Sequence, residues 1–558
     1  MGTCGRITGI RREAPGYRRR STTLMTQRQA MTRPDPLFDI IIIGGGITGA
    51  GVARDAALRG LSTLLLEKRD YASGVSSKTT RLVHGGLRYL ANFEIDLVAE
   101  ALRERAILRR QCPYLITPMP ILIPIYRGDP HGRAAISVGI HLYELLSREK
   151  DIPHYFTAGT DRTLSMEPRL NREGLKGSAL FYDHQIILPE RLVIENIIAA
   201  REAGATVLNH RAAEKIEETS EVVVVTARDA LSGTAQAFRA RVLVNAAGPW
   251  VDLVRKTGGI DRTKIIHPTK GIHLILPKLS DQALFITSRD GRMFFIIPLD
   301  RWSLIGTTDT KYDGDLDDVH ADSDDVNYLL AESRRVLPGL GLAKESILYT
   351  YAGIRPLAFA GEHESKISRK HRVITEGKSG RIITVAGGKY TTYRNMAEDV
   401  VDAACRKLGK KRRCETDAKP LAGSLPVDLG EYLKEAVPQM AERFKIAPET
   451  VRHLVHFYGS RAETVLQLVK EDPRLAETIS PESGDIYAQV VHGIREEGAR
   501  SISDVLLRRM HLGITSSRGE QQLERIAGIA GRELGWRDDE KDHGKREFLE
   551  ELRKEKRF

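Results

Sequence analysis

The sequence predicts an α/β protein that opens on a βαβ unit, carries an inserted antiparallel β-sheet and ends in an α-helical domain. Three observations carry that reading. An apolar run enters a glycine turn at Gly44-Gly45-Gly46-Ile47-Thr48-Gly49, residues 256–354 are rich in short β-like runs, and residues 417–558 are helical and charged.

The opening unit is the most explicit element. Ile41-Ile42-Ile43 leads into the glycines, residues 50–59 have helical character, Gly60 stops them, and residues 61–66 return as a strand. In a Rossmann-like unit Gly44 permits the tight turn, Gly46 lets backbone approach a pyrophosphate, and Gly49 lets the helix pack closely on the strand. The helix start with Ile47 and Thr48 offers free N–H groups and the positive end of a dipole to phosphate. Glu67 follows the second strand, where a carboxylate accepts hydrogen bonds from a ribose diol and repels a 2′-phosphate. The ligand therefore reads as FAD or NAD rather than NADP.

The elements that follow are read in order. Residues 97–111 have helical spacing with interleaved Arg and Glu. Residues 188–204 form a helix that Pro189 starts and Gly204 stops, and 206–208 and 221–226 read as strands. Residues 241–250 read as a buried strand ending in the small residues Ala246, Ala247 and Gly248 before Trp250, which lets a second backbone segment approach the nucleotide. Runs at 271–276, 283–287, 293–298 and 303–308 are separated by turns at Asp290-Gly291 and Asp300-Arg301. A strand at 381–386, a turn at Gly387-Gly388-Lys389-Tyr390 and a helix at 391–408 complete the core. No repeat of solenoid period is visible.

At 558 residues the chain exceeds the usual single-domain ceiling of about 250–300 residues. The expected division is a disordered basic extension at 1–37, a core at 38–416 and a helical domain at 417–558. Within the core, cofactor segments fall at about 38–115, 175–255 and 355–410, and the substrate sheet at about 256–354. The extension holds eight arginines against Glu13 and Asp35, more than half of the chain's net charge of +11. It lacks the apolar stretch of a signal peptide, and Met25 and Met31 stand just before the fold, so an overlong start is the expected explanation. Cys4, Cys112, Cys405 and Cys414 show no paired spacing, which argues against zinc, an iron–sulfur cluster or a disulfide scaffold, and no metal is expected. No run of 18 apolar residues exists to span a membrane. Residues 103–146, with Met119 to Ile125 and the largely apolar 134–146, are the candidate membrane-surface segment, buried core being the alternative.

Two longer signatures point to a family. Gly44-Gly45-Gly46-x-x-Gly49-Ala50-Gly51-x-Ala53-x-Asp55-x-x-x-Arg59-Gly60 pairs with Gly387-Gly388-Lys389-x-x-Thr392-Tyr393-Arg394-x-x-Ala397. Together they resemble FAD-dependent glycerol-3-phosphate dehydrogenase. Ser76-Ser77-Lys78-Thr79-Thr80-Arg81-Leu82-Val83-His84-Gly85-Gly86-Leu87-Arg88-Tyr89-Leu90 is similar to that family's second cofactor segment. Asn245 to Trp250, Lys270-Gly271-Ile272-His273, Ile305 to Asp309 and Gly353-Ile354-Arg355-Pro356-Leu357 stand in family order over roughly 38–545.

The resemblance implies the D-amino-acid-oxidase-like flavoprotein superfamily and oxidation of glycerol 3-phosphate to dihydroxyacetone phosphate by hydride transfer to FAD. Implied cofactor contacts are Gly44, Gly46, Ile47, Thr48, Gly49, Glu67, Lys68, Ser76, Ser77, Thr79, Thr80, His84, Gly85, Gly86, Ala246, Gly248, Trp250, Gly388, Lys389, Thr391 and Thr392. Backbone N–H groups and Lys389 would stabilise negative charge on the reduced flavin. Implied substrate contacts are Arg88, Tyr89, Arg355, Arg369 and Lys389, because guanidinium forks suit a phosphate dianion. His84 and His273 are the candidate bases for the hydroxyl proton, with Arg355 an electrostatic alternative for the developing alkoxide.

The stretch Tyr182-Asp183-His184-Gln185-Ile186-Ile187-Leu188-Pro189-Glu190-Arg191-Leu192 departs from the family by lacking paired aspartates ahead of Arg191-Leu192, which weakens the exact substrate assignment. Within the family the quinone-linked respiratory type is expected. The implied partners are ubiquinone or menaquinone, the inner face of the cell membrane as a peripheral attachment site on the cytoplasmic side, and a second copy in a homodimer. The acidic stretch Asp313 to Asp318 lacks the spacing of a calcium-binding hand. An oxidoreductase of another 2-hydroxy or amino substrate is the rival within the superfamily. A nucleic-acid-binding flavoprotein is disfavoured, because only 6% of residues are aromatic and the basic excess sits in the extension.

Overall fold

The computed structural model describes residues 36–558 except 148, 150–151, 261–263, 360–366 and 369, and leaves the side chains of 88, 91, 92, 367 and 368 outside the description. The basic extension and its expected disorder, apart from its last two residues, lie outside the described residues.

Nine strands carry the argument: β1 (Leu37–Ile43), β2 (Thr63–Leu66), β3 (Ile116–Tyr126), β4 (Leu175–Ile186), β5 (Ala235–Asn245), β6 (Ile266–Pro277), β7 (Trp302–Gly306), β8 (Tyr349–Phe359) and β9 (Ile382–Ala386). Five helices accompany them: α1 (Ile47–Leu58), α2 (Ile95–Gln111), α3 (Arg133–Leu146), α4 (Pro189–Glu202) and α5 (Tyr393–Leu408).

The first sheet is built on β1, whose Ile40, Ile41 and Ile42 are fully buried because both faces of the sheet are covered. β1 pairs in parallel with β2 and β5, and β5 in parallel with β9. The carboxyl ends of four strands therefore reach the same edge, where Gly44, Glu67, Ala246 and Gly387 follow them. Ligands of open α/β sheets bind at that edge.

α1 packs against α4 and α5. A Cβ on Gly51 would stand 2.8 Å from the Tyr393 ring, so this glycine is what lets α5 come close. Three charged residues of the two signatures staple this layer. Arg59 holds Asp55 at 2.6 Å and pairs with Asp402 of α5. Arg394 grips Glu104 of α2 through two hydrogen bonds of 2.7 Å.

The second sheet has 11 strands and extends beyond the predicted insertion. β3 and β4, from residues 116–186, form one side of it, and β8 runs on to Phe359. Its pairings are antiparallel except for one parallel contact, Ala283 and Leu284 against Ile121 and Leu122 of β3. The expectation for 103–146 as a single membrane-surface segment is corrected accordingly. Met119 to Ile125 is interior strand, with Ile121, Leu122 and Ile125 buried, and only α3 keeps an outward apolar face. A strand covered on both faces reads as an unbroken apolar run, which periodicity does not separate from a surface anchor. Among the described residues, no helix is long and apolar enough to cross a membrane.

The helices from Leu429 to Glu471 share their core with the second sheet, Val451, Leu454 and Val465 lying in the same apolar cluster as Ile121 and Tyr351, whereas the later helices pack Val490, Val505, Ile526 and Phe548 into a core of their own. The later helices also hold the first sheet. Arg509 makes two hydrogen bonds to Asp70, at 2.5 and 2.8 Å, and Arg508 adds a third at 2.8 Å. Asp70, His210 and Asp504 lie close enough to suggest a metal, but this arginine pair already neutralises the two carboxylates.

Candidate functional site

One elongated cavity of about 580 Å³ runs from the loops at the first sheet's edge to the face of the second sheet. At its first-sheet end, Gly44 has φ +111°, and a Cβ there would sit 2.6 Å from the carbonyl oxygen of Ala246. Only glycine fits between β1 and β5. The side chain of Glu67 reaches back across the turn, its Oε2 accepting from Gly45 N–H at 2.6 Å and its Oε1 from Arg69 N–H at 2.8 Å. Burial pushes this carboxyl upward against those hydrogen bonds. Each oxygen keeps a second lone pair for a diol. The start of α1 has no capping side chain and no acid in its first turn, so its dipole end stays open; Ile47 N–H alone is taken, by Ser76 Oγ at 2.9 Å.

Lys68 stands 4.4 Å over the Trp250 ring, and Trp250 Nε1 is buried without a hydrogen-bond partner. Across the cavity, Gly387 and Gly388 take φ +77° and +85°, leaving bare backbone ahead of α5. Lys389 follows them with Nζ 3.6 Å from the centre of the Tyr89 ring. A glycine cradle, an open helix start, an orphaned indole N–H and a cavity of this size fit a flavin dinucleotide.

The second-sheet end is made of side chains. Register places His273 of β6 between Tyr351 of β8 and Gly306 of β7. Its ring stacks on Tyr351 at 4.8 Å, and a Cβ on Gly306 would strike it, so the glycine makes the slot. His273 Nε2 is 3.0 Å from Thr80 Oγ1, and Nδ1 has no hydrogen-bond partner. Burial, then the charges of Arg355 and Arg81, holds this imidazole well below the usual histidine range. It is neutral at pH 7.

Arg355 lies over Gly271, whose missing side chain gives it room. Its guanidinium donates to Asp309 at 3.1 Å, Thr307 Oγ1 at 3.0 Å and the Thr308 carbonyl at 2.8 Å. Phe285 and Phe295, stacked at 4.5 Å, form an apolar wall with Ile121 and Phe181. Such a set can bind an anion, accept a proton on a neutral base and exclude water around a bound ring.

Of the residues singled out from sequence, Gly44, Gly46, Ile47, Thr48, Glu67, Lys68, Ser76, Thr79, Thr80, His84, Gly86, Tyr89, Ala246, Gly248, Trp250, His273, Arg355, Gly388 and Lys389 line this cavity. Five do not line it, and the structure gives each of them a packing or hydrogen-bonding place beside it. Gly49 packs α1 on the Gly44 carbonyl, and Ser77 Oγ donates back to Gly74 at 3.0 Å. Gly85 N–H donates to Tyr143 at 2.8 Å, Thr391 Oγ1 accepts from His84 N–H at 3.2 Å, and Thr392 precedes α5 as its cap residue. The Arg88 side chain and Arg369 lie outside the described residues. Sequence reading missed Asp183, Thr307, Asp309 and the Phe285–Phe295 pair. Thr307 and Asp309 sat inside a quoted motif and Asp183 inside the stretch noted for lacking paired aspartates, whereas nothing local marks the phenyl pair.

Known proteins match the chain along most of its length. A family described as FAD dependent oxidoreductase matches residues 39–394, and one described as the C-terminal domain of alpha-glycerophosphate oxidase matches 414–541. Glycerol-3-phosphate dehydrogenase of Synechocystis is 38% identical over 526 residues, 90% of this chain and 94% of that protein. Aerobic glycerol-3-phosphate dehydrogenase of Staphylococcus saprophyticus is 34% identical over 91% and 94%. The crystal structure of glycerol-3-phosphate dehydrogenase from Bacillus halodurans complexed with FAD superimposes with a TM-score of 0.80 at 30% identity, covering 96% of this chain and 98% of that one.

Proposed function

The chain belongs to the FAD-dependent glycerol-3-phosphate dehydrogenase family, and from that premise we propose that it oxidises sn-glycerol 3-phosphate at C2 and passes the electrons to a membrane quinone. FAD is its cofactor, and bound FAD supplies the hydride acceptor. The remaining tasks fall to this chain's side chains.

In this reading Arg355, joined by Arg88 and Arg369, binds the phosphate, with Tyr89 and Lys389 closing the recess. Each charge-assisted hydrogen bond contributes about 1.5–3 kcal/mol, so unphosphorylated glycerol is a poor substrate. His273 takes the C2 hydroxyl proton, and His84, which lines the same cavity from the cofactor segment, is the second candidate base. Burial of the neutral His273 imidazole beside Arg355 is the observation that carries this assignment. Lys389 balances the negative charge that reduction delivers. The phenyl wall keeps water from the reacting atoms.

The membrane side of the proposal rests on α3. Val138 and Leu145 are 70% and 72% exposed on one face, and Phe93, on the turn that α3 packs against, is 86% exposed. This face lies on anionic lipid at the inner side of the cell membrane, the cytoplasmic protein attaching peripherally and taking ubiquinone or menaquinone from the bilayer, as a monomer or a homodimer.

Anaerobic stopped-flow absorbance tests the core claim. Glycerol 3-phosphate should bleach the bound flavin, and glycerol should do so far more slowly; a flavin left yellow by glycerol 3-phosphate would overturn the reading. Reoxidation by a soluble quinone faster than by oxygen supports the acceptor, and the reverse order rejects it. Flotation with anionic liposomes should be lost in Val138→Glu/Leu145→Glu.

A further inference from the structure

Asp183 lies at the cavity wall, 2% exposed, near the end of β4. The short strand Leu82–Val83 pairs antiparallel with β4, Leu82 opposite Gln185 and Val83 opposite His184. Continued by one residue, that register brings His84 opposite Asp183. Both carboxylate oxygens are engaged: Oδ1 accepts from Arg105 of α2 at 2.7 Å, and Oδ2 from the hydroxyl of Tyr143 of α3 at 2.6 Å. Tyr143 in turn accepts the N–H of Gly85 at 2.8 Å. Arg105 is anchored from behind by Glu149 at 2.7 Å and Ser147 Oγ at 3.0 Å.

The chain Arg105–Asp183–Tyr143–Gly85 therefore ends on the turn that carries His84. The other side of the turn is held by Thr391, which accepts from His84 N–H. Gly85 itself is required, because a Cβ there would meet the Tyr143 hydroxyl and Leu102. A carboxylate buried this deeply is costly unless it is paired, and here each oxygen has one strong donor.

We propose that Asp183 is a positioning residue of the reaction centre: through Tyr143 it fixes the His84–Gly86 turn, and with it His84, against the bound cofactor. This rests on the reading of the cavity as a flavin site, and not on which substrate reduces the flavin. Tyr143→Phe deletes the hydroxyl while keeping the ring, and Asp183→Asn keeps shape while removing charge.

The test uses the FAD-loaded protein in both forms. Each variant should hold FAD at wild-type stoichiometry and shift the visible absorption and circular dichroism of the flavin in the same direction. Reduction by glycerol 3-phosphate should slow by about tenfold to a hundredfold with little change in KM, the size expected of a small displacement of a reacting group. The double variant should be no slower than Tyr143→Phe, since both act through one chain. Wild-type spectra, or shifted spectra with a wild-type rate, would overturn the proposal. Should glycerol 3-phosphate fail to bleach the wild-type protein, the substrate assignment falls, while the flavin spectra of the two variants still decide the role of Asp183.

Discussion

The two ends of the cavity are made of different material. The dinucleotide end is backbone: glycines at 44, 46 and 248, an uncapped helix start, and one carboxylate that folds back on its own turn. The reacting end is side chain: His273, Thr80, Tyr351, Arg355 and Asp309, drawn from strands and loops far apart in sequence and seated in slots that Gly271 and Gly306 leave open. Backbone sites bind by shape and dipole, whereas side-chain sites set charge and proton position. Substitutions at the two ends should therefore fail in different ways.

The largest effect is expected at His273. His273→Asn should slow flavin reduction by about 10²–10⁴-fold, the usual worth of a general base, with FAD content unchanged. Burial foremost, with Arg355 and Arg81, keeps the folded pKa below the free value, so the group is neutral in the native state while the unfolded chain gains a proton as pH falls. This histidine's contribution to stability thus declines with acidification below about pH 6.5, and the reduction rate should hold its value at pH 6, where a free imidazole is mostly protonated. A rate that falls with the pKa of a free histidine would remove His273 from the role.

Arg355→Ala comes next: about a ten- to hundredfold loss in kcat/KM for glycerol 3-phosphate, carried by KM, again with full FAD loading. At the other end, Gly44→Ala should cost about 1–3 kcal/mol in backbone strain before its clash with Ala246 is counted. Purified protein should be largely colourless, and the fraction that keeps FAD should turn over normally. Glu67→Gln is the mildest. One neutral acceptor replaces a carboxylate, and FAD affinity should drop severalfold by fluorescence titration, about 1 kcal/mol. If Arg355→Ala sheds FAD, or loaded Gly44→Ala is slow, the division between the ends is wrong.

The same contrast governs what could be read from the sequence. The dinucleotide end is written contiguously: Gly44 to Gly49 and Glu67 belong to one βαβ unit whose spacing has a mechanical reason. The reacting end is scattered, and His273 and Arg355 were marked by resemblance rather than by any local pattern. Asp183 stands in a stretch noted only for its missing paired aspartates, because its role depends on Tyr143 and Arg105, each on a different helix. For the segment that holds β3, surface anchor and buried core stand as alternatives in the sequence, because burial on both sides erases alternation and no periodicity distinguishes a covered strand from a lipid-seeking one. Asp55, Arg59 and Arg394 teach the converse: prominent positions in two signatures, they serve as ion-pair staples.

The grip of Arg508 and Arg509 on Asp70 ties the third residue after Glu67 to the last tenth of the chain. During synthesis on the ribosome, the nucleotide module waits for nearly the whole polypeptide before its loop after β2 is secured. Messages cut short before codon 508 should yield protein that proteases clear rather than a smaller working enzyme, which pulse-chase measurement of a truncated chain would reveal.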